Sequence, residues 1–298
     1  MSILQPVLQV LTSAAFWQVV VGGLMLGAVY ALFSSGLTLI WGMMNVVNFA
    51  HGDFVMLGMY TAVVVWTALG GGPWASVPIA AIAIATLGVI SYFLLVRHIL
   101  RGPMLAQILG TFGLALFLRY GALWAFGANF KTLPDDLVGH SFVLAGLRFE
   151  GARVLAGTMG LVVTILLHVI LTRTSVGSRM LAVSEDETAA QLMGIRPQRM
   201  QALAWALAGA STGIAGALIA MFFYTSPTVG ETLAIVAFVT VALGGFGSVL
   251  GALVAGMLIG LVESLSAFLI GPVWKDVIVY VLFVLVLWLR PQGLMGKT

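Results

Sequence analysis

The chain has 298 residues, of which 61% are hydrophobic and only 8% charged, with a formal charge of +3. An ordinary soluble domain carries about 25% charged residues, so a water-soluble globule of this size is excluded, and an exterior that faces lipid is the stable one. Cysteine is absent, which excludes disulfide frameworks, thiolate metal sites and cysteine nucleophiles; the scattered basic residues mark no nucleic-acid surface.

Met1 to Gln9 lack the Lys or Arg that opens a signal peptide, and they are expected to be retained ahead of the first apolar stretch. Apolar stretches long enough for about 30 Å of hydrocarbon then follow at 16–41, 49–69, 74–96, 104–126, 154–172, 200–224, 233–245, 249–270 and 273–289. The seventh is short for a full crossing and reads as broken or re-entrant. The expected fold class is therefore all-α, a polytopic membrane bundle of 8 or 9 transmembrane helices forming one domain over 1–298. Glycines four residues apart, Gly23 with Gly27, Gly209 with Gly213, Gly247 with Gly251 and Gly256 with Gly260, read as seams where helices approach closely.

Between the first two stretches, residues 42–53 are unusually polar. Gly42 is placed to end one helix, and Asn48 to cap the next through its side-chain oxygen. Asn45, Asn48, His51 and Asp53 either pin a tight turn near the cytoplasmic face or line a translocation path, since polar groups at membrane depth must pair or face a cavity. His51 and Asp53, two residues apart on a helix, point to different faces and make a poor catalytic pair. Further on, Arg119 falls within a span, where it must face protein or snorkel.

The connection 129–153 contains Pro134, Asp135 and Asp136, then an alternating stretch at 141–149 that suits a short external hairpin or a segment lying on the membrane. The connection 174–199 carries a capping box: Ser184 accepts from the amide of residue 187 while Glu187 reaches back. Glu185, Asp186 and Glu187 suit the positive end of a helix dipole, Gly194 is a left-handed terminator, and Pro197 forbids continuation. The expected product is a helix of two to three turns with Ala189, Leu192 and Met193 on one face. Such a helix is marginal alone, so it docks either on its own membrane domain or on a cytoplasmic partner.

Glu231 is expected at the outer edge, starting a helix, whereas the deeper Glu263 lines the path or fixes packing; His168 reads as a packing residue. With the 174–199 loop inside and nine crossings, Arg97, Arg101, Arg173, Arg179, Arg196, Arg199, Arg290 and Lys297 fall inside, while Lys131, Arg148, Arg153 and Lys275 fall outside. The N-terminus is then outside and the C-terminus inside.

Two stretches carry a family resemblance. The phrase from Val46 to Asp53, preceded by Gly27-Ala28-Val29-Tyr30-Ala31-Leu32, resembles the amino-terminal hallmark of the branched-chain amino acid ABC permeases; the loop phrase from Ala182 to Ala220 resembles their cytoplasmic signature. Gly244-Gly245-Phe246-Gly247-Ser248 and Glu263-Ser264 extend the likeness over nearly the whole chain in order. The resemblance implies an H-type permease of the ABC importer type, with a short cytoplasmic coupling helix seated in a cleft of an ATPase. Glu187, Ala189, Ala190 and Gly194 match by position, within a coupling segment that also includes Ser184, Glu185, Asp186, Leu192, Met193 and Ile195. Glu187-Thr188-Ala189-Ala190 departs from the Glu-Ala-Ala of the broader importer pattern.

The implied partners are a related second permease, two cytoplasmic ATPases that use ATP and Mg, a periplasmic solute-binding protein and membrane lipid, in the bacterial inner membrane. The chain itself is expected to bind no cofactor or metal, and it lacks the phosphate-cradling Gly-x-x-x-x-Gly-Lys-Ser/Thr motif. It also lacks the His-Glu-x-x-His zinc motif, so it reads as a non-catalytic subunit. Branched-chain or other amino acids are the expected cargo; urea and amide permeases of the same group are the nearer alternative. An ion-gradient transporter is the farther one, since composition and glycine seams suit it equally.

Overall fold

The computed structural model describes residues 13–100, 102–134, 141–144 and 147–296. Met1 to Gln9, Arg101, Asp135, Asp136 and Lys297, named above, lie outside the described residues. Among those described, eight helical segments are long and apolar enough to cross a membrane. They are α1 (Ala14–Met44), α2 (His51–Leu69), α3 (Pro73–Ser91, continued through a π-turn to Ile99), α4 (Met104–Phe126), α5 (Gly151–Arg173), α8 (Pro197–Ile219), α10 (Val249–Leu269) and α11 (Lys275–Leu289, opened by a 3-10 turn at Pro272–Trp274).

Shorter elements complete the chain. The strands β1 (Phe142–Leu144) and β2 (Leu147–Phe149) pair antiparallel as the expected hairpin. The 174–199 connection holds α6 (Ser175–Glu185) and α7 (Glu187–Leu192), and α9 (Val229–Gly244) is the short seventh stretch. At 1.5 Å per residue, the 16 residues of α9 cover about 24 Å, less than a full hydrocarbon crossing.

α1 stands at the centre, flanked by α5, α8, α9 and α10. Three of the four glycine pairs are seams. A Cβ on Gly27 would overlap the Gly256 carbonyl and Met257 Cα, and one on Gly260 would overlap Gly23 and Gly27, so α1 and α10 touch backbone to backbone. Gly209 and Gly213 on α8 meet the backbone of Ile84 and Ala80 on α3 in the same way. The fourth pair is different. Gly247 lies outside the helix at φ +82°, in a turn where its N–H donates to Thr38 Oγ1 at 2.9 Å, and Ser248 caps α10 by accepting from the Gly251 amide at 3.0 Å. A positive φ in that turn, not a helix face, is what requires glycine there.

Gly209, Ser211 and Gly213 also complete a Gly-x-Ser-x-Gly string of the kind found at hydrolase nucleophile elbows. Here it lies inside α8, with Ser211 Oγ donating to the Leu207 carbonyl at 2.9 Å, and the strand-to-helix turn that such a nucleophile needs is not its setting.

The two ends of the bundle differ in their connections. Leu39 and Met43 of α1, Leu167 of α5, Met180 and Val183 of α6, Ala190 of α7 and Ala204 of α8 form one apolar cluster, so the 174–199 connection packs where α1 and α5 end and α8 begins. At the opposite end Lys131 pairs through its backbone with Thr225, and Arg153 lies over the Phe222 ring.

Candidate functional site

The polar junction after α1 is built differently from its sequence expectation. Gly42 does not end α1; it stays in the helix, packed on Gly247, and the helix continues to Met44. Asn45 is the terminator, at φ 53°, and among the described residues no other non-glycine has positive φ. An Asn tolerates that conformation at small cost because its short side chain can bond locally. Asn48 Oδ1 accepts from the Ala50 amide at 3.1 Å, so it caps the turn ahead of α2 and not the helix itself.

His51 then opens α2 with Nε2 2.7 Å from the Phe33 carbonyl. Phe33 is nineteen residues into α1 and eleven from its end, about 16 Å from the nearer terminus. α2 therefore starts deep in the bundle and not at its inner face. Residue 52 has to be glycine, because a Cβ would collide with the Gly230 carbonyl and the Ala234 backbone of α9. That contact also sets the depth of α9, whose first turn lies beside the start of α2.

Asp53 is fully buried, and its partner is Arg119 of α4. Arg119 Nε donates to Asp53 Oδ1 at 3.2 Å and Nη2 to Oδ2 at 3.5 Å, while Nη1 donates to Glu231 Oε2 at 3.1 Å. Arg119 thus faces protein, and Glu231 sits in the first turn of α9 at the depth of Asp53, not at the outer edge. His51 and Asp53 do point apart, one to α1 and the other to α4.

Glu263 is held in a second cluster. Tyr30 OH donates to its Oε2 at 3.0 Å, and Lys275 Nζ donates to its Oε1 at 2.6 Å. This group lines a cavity of about 790 Å³ whose other polar walls include Arg153, Ser226, Thr232 and Asp276. Glu263 accordingly both joins three helices and faces a space large enough for a small solute with water. Arg119, Lys275 and Tyr30 were not singled out as site residues from sequence. The signal for the two cations was available: each membrane-depth carboxylate needs one.

The 174–199 connection forms two helices where one was expected. Ser184 is still inside α6, its Oγ donating to the Leu181 carbonyl at 2.8 Å, so it is not the cap. Asp186 is the cap of α7, accepting from the Thr188 and Ala189 amides at 2.8 and 2.9 Å. A shorter acidic side chain two residues further on does the task, and α7 is only six residues long.

Its C-terminus closes as expected. Gly194 has φ +80°, its amide donates to the Gln191 carbonyl at 2.9 Å, and that of Ile195 to the Ala190 carbonyl at 3.0 Å, the paired bonds of a Schellman motif. Ala190 is buried and Ile195 packs beside it on the apolar cluster at the ends of α1 and α5. Glu185, Glu187 and Ala189 are exposed, and Leu192 and Met193 stand 85% and 81% exposed. One side of the connection anchors on the bundle and the other presents bare apolar side chains.

Comparison with known proteins places this arrangement. A family described as the branched-chain amino acid transport system / permease component matches residues 19–287. The high-affinity branched-chain amino acid transport system permease protein BraD of Pseudomonas aeruginosa is 30% identical over 296 residues, spanning 95% of this chain and 96% of that protein. The corresponding permease protein LivH of Escherichia coli is 27% identical, again over 95% and 96%. Escherichia coli LivM is 29% identical over 91% of this chain and 68% of its own length. The solved structure of PsaBC from Streptococcus pneumoniae in complex with Fab aligns over 97% of each chain with a TM-score of 0.52 and 10% identity, a likeness of fold alone. With nearly its full length matched and the hallmark phrases placed at the junction, the 174–199 connection and the glycine turn, the chain belongs to the branched-chain amino acid transport permease family.

Proposed function

We propose that the chain is a membrane-spanning permease subunit of an ATP-driven importer, moving branched-chain or other amino acids across the inner membrane by alternating access. The observation that carries this reading is the cytoplasmic connection, in which a capped helix is anchored by Ala190 yet leaves Leu192 and Met193 uncovered at the end where α1 and α5 stop. An apolar pair on a rigid element fixed to the bundle suits a lever gripped by a motor subunit. Two cytoplasmic ATPases would use ATP and Mg, and this chain, one permease domain without a cofactor, would relay their motion.

The similarity to both LivH and LivM supports a related permease as the second membrane subunit. A periplasmic binding protein would deliver the solute. Asn45, Asn48, His51, Asp53 and Glu263 remain the proposed path or gating residues, with Asn48 and His51 acting through the turn they hold. Urea or an amide is the alternative cargo.

Reconstitution tests the reading. Uptake that requires ATP and the ATPase subunits, and that survives collapse of the proton and sodium gradients, is the expected result. Uptake by this chain alone in an ion gradient would overturn it in favour of a secondary transporter.

A further inference from the structure

The Asp53–Arg119–Glu231 cluster has a feature that packing does not explain. Arg119 is fifteen residues from the start of α4 and seven from its end, so its Cα lies about 10 Å inside the nearer terminus. The cluster holds two carboxylates and one guanidinium, and at this depth it must avoid lipid. Asp53 is fully buried and Arg119 only 20% exposed, yet the side chain of Glu231 is 66% exposed.

The unsatisfied atoms are complementary. A guanidinium has five N–H donors; three are taken here, two by Asp53 and one by Glu231, which leaves one on Nη1 and one on Nη2. Glu231 Oε2 is occupied, while among the described residues nothing donates to its Oε1. An open pair of donors beside an open carboxylate oxygen is what an α-carboxylate and an α-ammonium group require together. A neutral amide could use the donors but would not repay exposing a carboxylate at this depth.

A second layer lies two helical turns away. Phe112 is seven residues before Arg119 on α4, and Phe238 is seven after Glu231 on α9; both rings pack on Phe49, at 6.5 and 5.2 Å between centroids. α4 and α9 therefore run in opposite directions, bridged at a charged level by Arg119 and Glu231 and, about 10 Å nearer the cytoplasmic end, at an aromatic level by Phe49. The aromatic level is an apolar layer on the inner side of the charged one.

We infer that Arg119 and Glu231, positioned by Asp53, form the station on this chain that takes the zwitterionic head of the transported solute. The inference rests on the importer reading. It predicts a water-filled path at Glu231 that the solute blocks.

The chain has no cysteine, so label read on this chain, separated from its partners, reports the one introduced thiol. In the assembled transporter, Ile235→Cys, one turn from Glu231 on α9 and exposed like it, is treated with a charged, water-soluble thiol reagent in the apo, ATP-bound and ADP-bound states, and Phe117→Cys, exposed on the face of α4 turned away from Arg119, serves as the dry control. The expected result is labelling of the former alone, in at least one nucleotide state. Leucine at about ten times its dissociation constant should slow that labelling about tenfold, by occupancy. Acetamide at the same concentration should not.

A thiol at 235 that never reacts lies against lipid or another subunit and overturns the inference. Labelling without protection by leucine, or with protection by acetamide alone, overturns the zwitterion assignment. Uptake by the unmodified transporter in the reconstitution described above is read separately, so a failed station and a failed importer reading are told apart.

Discussion

The sharpest test of the coupling role is Gly194. Its φ of +80° closes the Schellman motif, and the space around it is open: a Cβ there would meet nothing within 4 Å. Replacement by valine therefore introduces no clash, and its whole effect is conformational. A left-handed residue with a Cβ costs about 1–2 kcal/mol, with β-branching at the upper end. α7 has six residues and no stability of its own, so that cost falls directly on the closed form of the connection and lowers its population by a factor of about 5–30. Gly194→Asn, which tolerates the left-handed region, should restore most of it. The assay is solute-stimulated ATP hydrolysis by the reconstituted transporter, with uptake in parallel. Valine is expected to lower both by several-fold with little change in the amount of folded protein, and asparagine to recover them. Equal activity in wild type and Gly194→Val would refute the idea that the shape of this terminus matters to the motor.

Leu192→Asp with Met193→Asp should leave folding intact, since both side chains are exposed, but should weaken co-purification of the ATPase subunits by at least tenfold; undiminished recovery would assign the contact elsewhere. Glu263→Gln removes a charge that Lys275 and Tyr30 both contact, and is expected to change the KM or rate of uptake; unchanged kinetics would make the cluster a packing device only. At the α1–α10 seam, Gly27→Ala should destabilise the chain by about 1–3 kcal/mol through overpacking, while Gly22→Ala, with open space around it, should be close to neutral. Thermal unfolding in detergent distinguishes the two, and equal shifts would refute the seam.

Much of the bundle was legible because membrane depth converts into residue count. The stretches 49–69 and 104–126 anticipate α2 and α4 closely, and the short seventh one emerges as α9. Local chemistry was harder to read where neighbours compete for one role. Gly42 and Asn45 both suit a helix terminus, but Gly42 is claimed by its contact with Gly247, and the stop moves to Asn45. Ser184 and Asp186 both suit a cap, and α6, continuing to Glu185, leaves only Asp186 free. The depth of Glu231 was illegible because it is set by Gly52 packing on Gly230, a contact across 178 positions of sequence. No periodicity within α9 reports it.

The two charged clusters divide the bundle in a way that bears on how it can move. Contacts between α1 and α10, and between α3 and α8, are backbone to backbone, so these helices can slide only by breaking close-packed seams. The ion pairs, by contrast, tie on α4, α9 and α11, whose side chains can exchange one oxygen for another at small displacement. α9 adjoins both clusters: Thr232 and Val236, with Thr228 at its cap, face the cavity around Glu263, while Glu231 and Phe238 face Arg119 and Phe49 on its other side. A rigid helix with opposed faces cannot approach one cluster without withdrawing from the other. Its close backbone contacts at both ends, Gly230 on Gly52 and Gly244 on Gly251, tie it to α2 and α10, so it shifts between the clusters only together with those helices.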